Sequence, residues 1–107
     1  GFPYNREERP KLIPKFQKML EGCGDIRRIG AASLDICWIA AGRMDGFFET
    51  LSPWDFAAAQ LVVREAGGKI GHIGEVPPGV PPELYGLDLI VGAPAIFDEM
   101  QQVLRSA

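Results

Sequence analysis

Apolar positions along the chain change period several times. Between Pro10 and Gly22, Leu12, Ile13, Phe16, Met19 and Leu20 recur at three- and four-residue spacing. That spacing predicts an amphipathic helix ending at Gly22, with Pro10 and Pro14 confined to its start. Asp25 to Ile29 reads as a short strand. Ala31 to Ala41 is nearly all apolar, a helix that must be buried on most sides, and Gly42 suits the left-handed position just past its end. Asp45-Gly46 then turns the chain into Phe47-Phe48-Glu49, a strand by its aromatic content. Pro53 to Ala66 returns as a helix closed by Gly67-Gly68, on which only Gln60, Arg64 and Glu65 read as solvated. Lys69 to Ile73 and Leu87 to Val91 read as strands, and Ile96, Phe97, Met100, Val103 and Leu104 draw one stripe on a final helix. Between those strands, Gly74 to Gly86 holds Pro77, Pro78, Pro81 and Pro82. Proline neither donates to a sheet nor continues a helix, so this stretch is a surface loop. The alternation predicts a layered α/β sandwich, its mixed or mostly parallel sheet flanked by helices.

Composition narrows the function classes. A chain of 107 residues is one domain, able to bury roughly 60 to 65% of its unfolded surface. The longest apolar stretch, Ile36 to Gly42, is far short of the roughly 18 to 20 residues that span a bilayer, and no signal segment opens the chain, so a soluble cytoplasmic protein is expected. A net charge of -3 gives no footprint for a polyanion, and no direct nucleic-acid contact is expected. Cys23 and Cys37 lie in unlike settings without zinc-type spacing and read as reduced thiols, Cys37 in the core. The opening Gly1-Phe2-Pro3-Tyr4 lacks a methionine and reads as mid-domain material, the mark of a fragment.

Candidate chemistry centres on Ser52-Pro53-Trp54-Asp55. Ser52 is a natural N-cap, Pro53 is pre-set for the first helical position, and Asp55 completes a capping box that also suits the helix dipole. The same geometry serves chemistry. A carboxylate in the first turn stands beside N–H groups that favour phosphate, where it could hold a divalent cation against a phosphate ester. The two readings are compatible, because a capping carboxylate keeps a second oxygen.

Trp54-Asp55-Phe56-Ala57-Ala58 through Glu65-Ala66-Gly67-Gly68 resembles the C-terminal signature of the inositol monophosphatase family. Gly1-Phe2-Pro3-Tyr4 resembles the segment that opens that half. Arg28-Ile29-Gly30-Ala31-Ala32-Ser33-Leu34-Asp35, followed by Ala40-Ala41-Gly42-Arg43-Met44-Asp45-Gly46, resembles its buried helix and turn. The resemblance covers nearly the whole chain and weakens in the proline loop and last helix. It implies a lithium-sensitive type of phosphomonoesterase in which carboxylates hold Mg2+ ions that activate a water and polarise the phosphate. On that basis Asp55 is the metal-binding and catalytic aspartate of this half. Gly30, Ala31 and Ala32 lie where backbone groups meet the substrate, and Glu49 matches an acid that accepts hydrogen bonds from substrate hydroxyls. Between Glu49 and Asp55 the chain is one residue shorter than the family pattern. The family's other metal acids, a glutamate and an Asp-Pro-x-Asp-Gly-Thr loop, belong to an N-terminal half that these residues do not contain.

Other residues take plainer expectations. His72 reads as structural or solvated, Asp35 as a buried hydrogen-bonding residue near the active face, Trp38 and Trp54 as core, and Arg27-Arg28 as solvated or steering an anionic ester. Gly67-Gly68-x-x-Gly71 follows a helix and is a C-cap rather than a nucleotide motif. Two functions stand at this point. One is the C-terminal domain, residues 1 to 107, of a magnesium-dependent phosphatase acting on inositol monophosphate or a similar small phosphate ester. The other is a non-catalytic interaction or oligomerisation module that keeps the same core. Either leaves an apolar face, for which a homodimer or the missing N-terminal half is the expected partner.

Overall fold

The computed structural model describes residues 6–27 and 29–107, so the Gly1-Phe2-Pro3-Tyr4 segment and Arg28 lie outside the described residues. A 3-10 turn, Arg6–Glu8, leads into α1 (Arg9–Gly22), followed by α2 (Ala32–Ala40), β1 (Gly46–Glu49), α3 (Pro53–Glu65), β2 (Lys69–His72), a second 3-10 turn (Pro82–Leu84), β3 (Leu89–Gly92) and α4 (Phe97–Arg105).

The three strands form one sheet in the order β1-β3-β2. β3 lies antiparallel to both neighbours, Phe47 facing Val91 on one side and Ile70 facing Val91 on the other. This corrects the expectation of a mixed or mostly parallel sheet. The chain passes from β1 through α3 to β2 as in a parallel unit, but β3 inserts between the two with the opposite direction. β1 and β2 therefore run the same way without being neighbours. The strand expected over Asp25 to Ile29 is also absent among its described residues, which leaves β1 with no partner on its outer edge among the described strands.

Strand alternation divides the core into two layers. Leu89, Val91 and Phe47 point to one face, where they meet Ile36 and Ile39 of α2 and Phe56, Ala59 and Val63 of α3. Ile90 points to the other, with Ile73 and with Phe97, Met100 and Leu104 of α4, and Met19 and Phe48 pack against that cluster. The result is the expected layered sandwich, α2 and α3 on one side and α1 and α4 on the other. Each fully buried side chain of this kind contributes about 1.5 to 3 kcal/mol relative to exposure.

Helix ends follow local chemistry. At the end of α2, Gly42 adopts φ +78°, its N–H donates to Ile39 O at 3.1 Å and Arg43 N–H donates to Trp38 O at 2.9 Å. That is a Schellman closure, and Gly67 and Gly68 repeat it after α3 with bonds to Arg64 O and Val63 O. Helix faces follow less simply. Gln60, expected in solvent, is 5% exposed, whereas Trp54, expected in the core, is 82% exposed. Leu61 and Val62 also face outward at 59% and 47%. α3 carries apolar residues nearly all round, so periodicity left its orientation open. Packing against α2 and the sheet selected Phe56, Ala59 and Val63 as the inner stripe. Trp38 is likewise half-buried rather than core, with the Arg43 guanidinium 5.5 Å from its ring centroid.

Candidate functional site

Asp55 sits half-buried in the first turn of α3. Ser52 holds extended backbone, φ -78° and ψ 152°, and its N–H donates to Asp55 Oδ2 at 3.2 Å, while Asp55 N–H donates to Ser52 O at 2.9 Å. Pro53 follows at the first helical position, where its missing N–H costs nothing. The carboxylate half of the capping box read from the sequence is therefore present, and it uses Oδ2 while Oδ1 stays outside the cap. Glu49 ends β1, half-buried and opposite Leu89. Only Thr50, Leu51 and Ser52 separate its strand from α3.

At the start of α2 the backbone is exposed in a different way. Gly30 has φ +90°, a left-handed conformation with open space around it, and Ala31 stands at the N-cap with no side-chain hydrogen bond to the helix. An alanine side chain carries no acceptor, so Ala31 itself satisfies none of the first-turn N–H groups of α2. α2 and α3 pack side by side, the most extensive helix pair in the fold.

Asp35, in the first turn of α2, is buried and lines a cavity of about 630 Å³ between α1, the 22–27 segment, β1 and α4. Lys18, Arg43, Asp45 and Glu99 also line it, whereas Glu49, Asp55, Gly30, Ala31 and Ala32 do not. Arg27 pairs with Asp25 at 3.0 Å, both exposed. Among the described residues no group of three or more His, Cys, Asp or Glu could hold a metal ion. Among the described residues a divalent cation therefore finds fewer than three such side chains together, too few for a complete cage.

His72 is structural, as expected. It is buried, its Nε2 lies 2.6 Å from Tyr85 O and its ring is 5.3 Å from that of Tyr85. Gln60 is the residue that sequence reasoning missed. Its Nε2 donates to Glu83 O at 2.8 Å, 23 positions along the chain, and no local signal announces a contact so distant.

A three-layer α/β domain with a carboxylate-bearing helix N-terminus is the class defined here. The sequence pattern of the inositol monophosphatase family matches residues 2–104, and the chain belongs to that family. It is 51% identical over 70 residues to "Nus factor SuhB" of Escherichia coli (strain K12), covering 64% of this chain and 26% of that protein. The inositol monophosphatase of Anabaena (Nostoc) sp. PCC 7120 superposes on 100% of this chain and 43% of its own, with TM-score 0.85 and 31% identity. The native extragenic suppressor protein suhB of Bartonella henselae superposes on 100% and 40%, with TM-score 0.83 and 30% identity. The chain thus spans about a quarter of the length of the curated relatives it matches. Among the described residues no helix is long and apolar enough to cross a membrane.

Proposed function

We propose that residues 1 to 107 are the C-terminal domain of a magnesium-dependent phosphomonoesterase acting on inositol monophosphate or a similar small phosphate ester. The observation that carries this reading is the Asp55 carboxylate, fixed by Ser52 N–H at the N-terminus of α3 in a chain whose residues 2–104 match the family. Asp55 supplies one ligand oxygen, and the remaining carboxylates come from the N-terminal half of the family fold. Magnesium, when bound, polarises the phosphate and lowers the pKa of a water. This chain's own part is positioning. The α3 N-terminus places a positive dipole end toward the ester phosphate, the first-turn N–H groups after Gly30, Ala31 and Ala32 donate to the substrate, and Glu49 accepts from its hydroxyls.

The exposed stripe of Trp54, Leu61 and Val62 on α3, with Leu34 of α2 at 40% exposure, is apolar surface that a partner would cover. The N-terminal half fits the phosphatase reading, and a second copy of the chain fits self-association. A second function, a non-catalytic interaction module, draws on the name Nus factor carried by the curated relatives. One experiment separates them. The chain is assayed on inositol monophosphate with excess magnesium, alone and with the family's N-terminal half supplied in trans. Turnover only in the second arm supports the phosphatase reading, and none in either arm, despite a stable complex, favours the module.

A further inference from the structure

The proline-rich segment between β2 and β3 is fastened to two of the residues that lie between the proposed site acids. Leu51 N–H donates to Gly86 O at 2.8 Å, and Asp88 N–H donates to Thr50 Oγ1 at 3.0 Å. Thr50 and Leu51 are thus held by one loop, and they link Glu49 to the Ser52–Asp55 cap. The contact is tight. A β-carbon on Gly86 would stand 1.8 Å from Leu51 O, 2.8 Å from its carbonyl carbon and 3.0 Å from Phe56 Cε1. Backbone lies against backbone there, so no rotamer change could relieve the clash.

Two buried side chains outside the proposed site hold the loop in place. His72 Nε2 lies 2.6 Å from Tyr85 O. A carbonyl oxygen only accepts, so Nε2 carries the proton. Tyr85 O belongs to the peptide that joins Tyr85 to Gly86, so this bond orients the glycine directly. Gln60 Nε2 donates to Glu83 O at 2.8 Å, two residues earlier. With Pro77, Pro78, Pro81 and Pro82 in it, the segment lacks four backbone N–H groups and has less backbone freedom to lose.

We propose that residues 74–88 form a positioning strap. Through Gly86 against Leu51 it sets the relative placement of Glu49 and Asp55, with His72 and Gln60 as positioning residues. The proposal rests on the reading of Asp55 as a metal carboxylate. The test uses the complete two-part enzyme and the variants His72→Leu, His72→Gln, Gln60→Met and Asp55→Asn. Amide hydrogen exchange is read at Leu51 and Ser52 against Ile90 of the central strand, and magnesium affinity is measured by titration calorimetry.

His72→Leu and Gln60→Met are expected to speed exchange at Leu51 and Ser52 about tenfold, with Ile90 changed by less than about twofold. Magnesium affinity should fall several-fold in both, and His72→Gln, which keeps a donor near the same place, should show only a small part of the effects of His72→Leu. Exchange that stays unchanged, or that rises equally at Ile90, overturns the strap. So does local loosening with unaltered magnesium affinity when Asp55→Asn abolishes it, an outcome that leaves the metal reading standing. If Asp55→Asn itself leaves magnesium binding intact, the metal reading falls and takes the strap proposal with it.

Discussion

Trp54 and Phe56 are two aromatic residues two positions apart on the same helix, and truncating each should have very different consequences. Phe56 is 1% exposed and packs among Ile36, Ile39, Phe47 and Leu89, while Trp54 is 82% exposed. Phe56→Ala removes a ring from a filled space and is expected to cost about 3 to 5 kcal/mol. That is a large share of the roughly 5 to 15 kcal/mol that holds a domain of this size folded. Trp54→Ala removes a ring that lies mostly in water and should change stability by less than about 0.5 kcal/mol. Any loss is offset by the better helix propensity of alanine. Urea unfolding followed by far-ultraviolet circular dichroism checks this without relying on tryptophan emission. With a slope of about 1 to 3 kcal/mol per molar urea, Phe56→Ala should lower the midpoint by about 1 M or more, and Trp54→Ala should leave it within about 0.5 M. Equal costs, or a larger cost for Trp54, would refute the packing argument for α3.

Three further outcomes are expected. Asp55→Asn in the complete enzyme should reduce turnover by about 10² to 10³ and weaken magnesium binding, because a charge is lost where charge develops; steady-state kinetics over a magnesium series checks it, and activity within a few-fold of the parent leaves Asp55 a helix cap. The isolated chain is expected to self-associate in sedimentation experiments, and Leu61→Glu, which places a charge in the exposed apolar stripe, is expected to abolish that association with little change in the unfolding midpoint; a parent chain that stays monomeric would refute this. Gly42→Ala forces a β-carbon into the left-handed region at φ +78° and should cost about 1 to 2 kcal/mol in the same urea assay; a neutral result would show that the Schellman closure tolerates strain there.

The parts of this protein legible in its sequence are those written within one helical turn. Ser52, Pro53 and Asp55 specify the start of α3, and Gly42 and Gly67 specify the ends of α2 and α3. Each rests on a hydrogen bond or backbone angle within a few residues, so no distant partner is needed to predict it. The candidate carboxylate was legible for the same reason, since its cap and its proposed ligand role share one geometry. Sheet direction was not, because the β1–α3–β2 spacing is equally consistent with neighbouring parallel strands. Only β3, arriving some 40 residues after β1, decides that an antiparallel strand separates them. Asp25 to Ile29 has the composition of a strand, yet a strand needs a partner edge, and local pattern cannot supply one. The outward turn of Trp54 and the burial of Gln60 were decided the same way. α3 is apolar on too many sides for periodicity to choose its inner face, and the choice fell to the packing of α2, the sheet and Glu83 O around it.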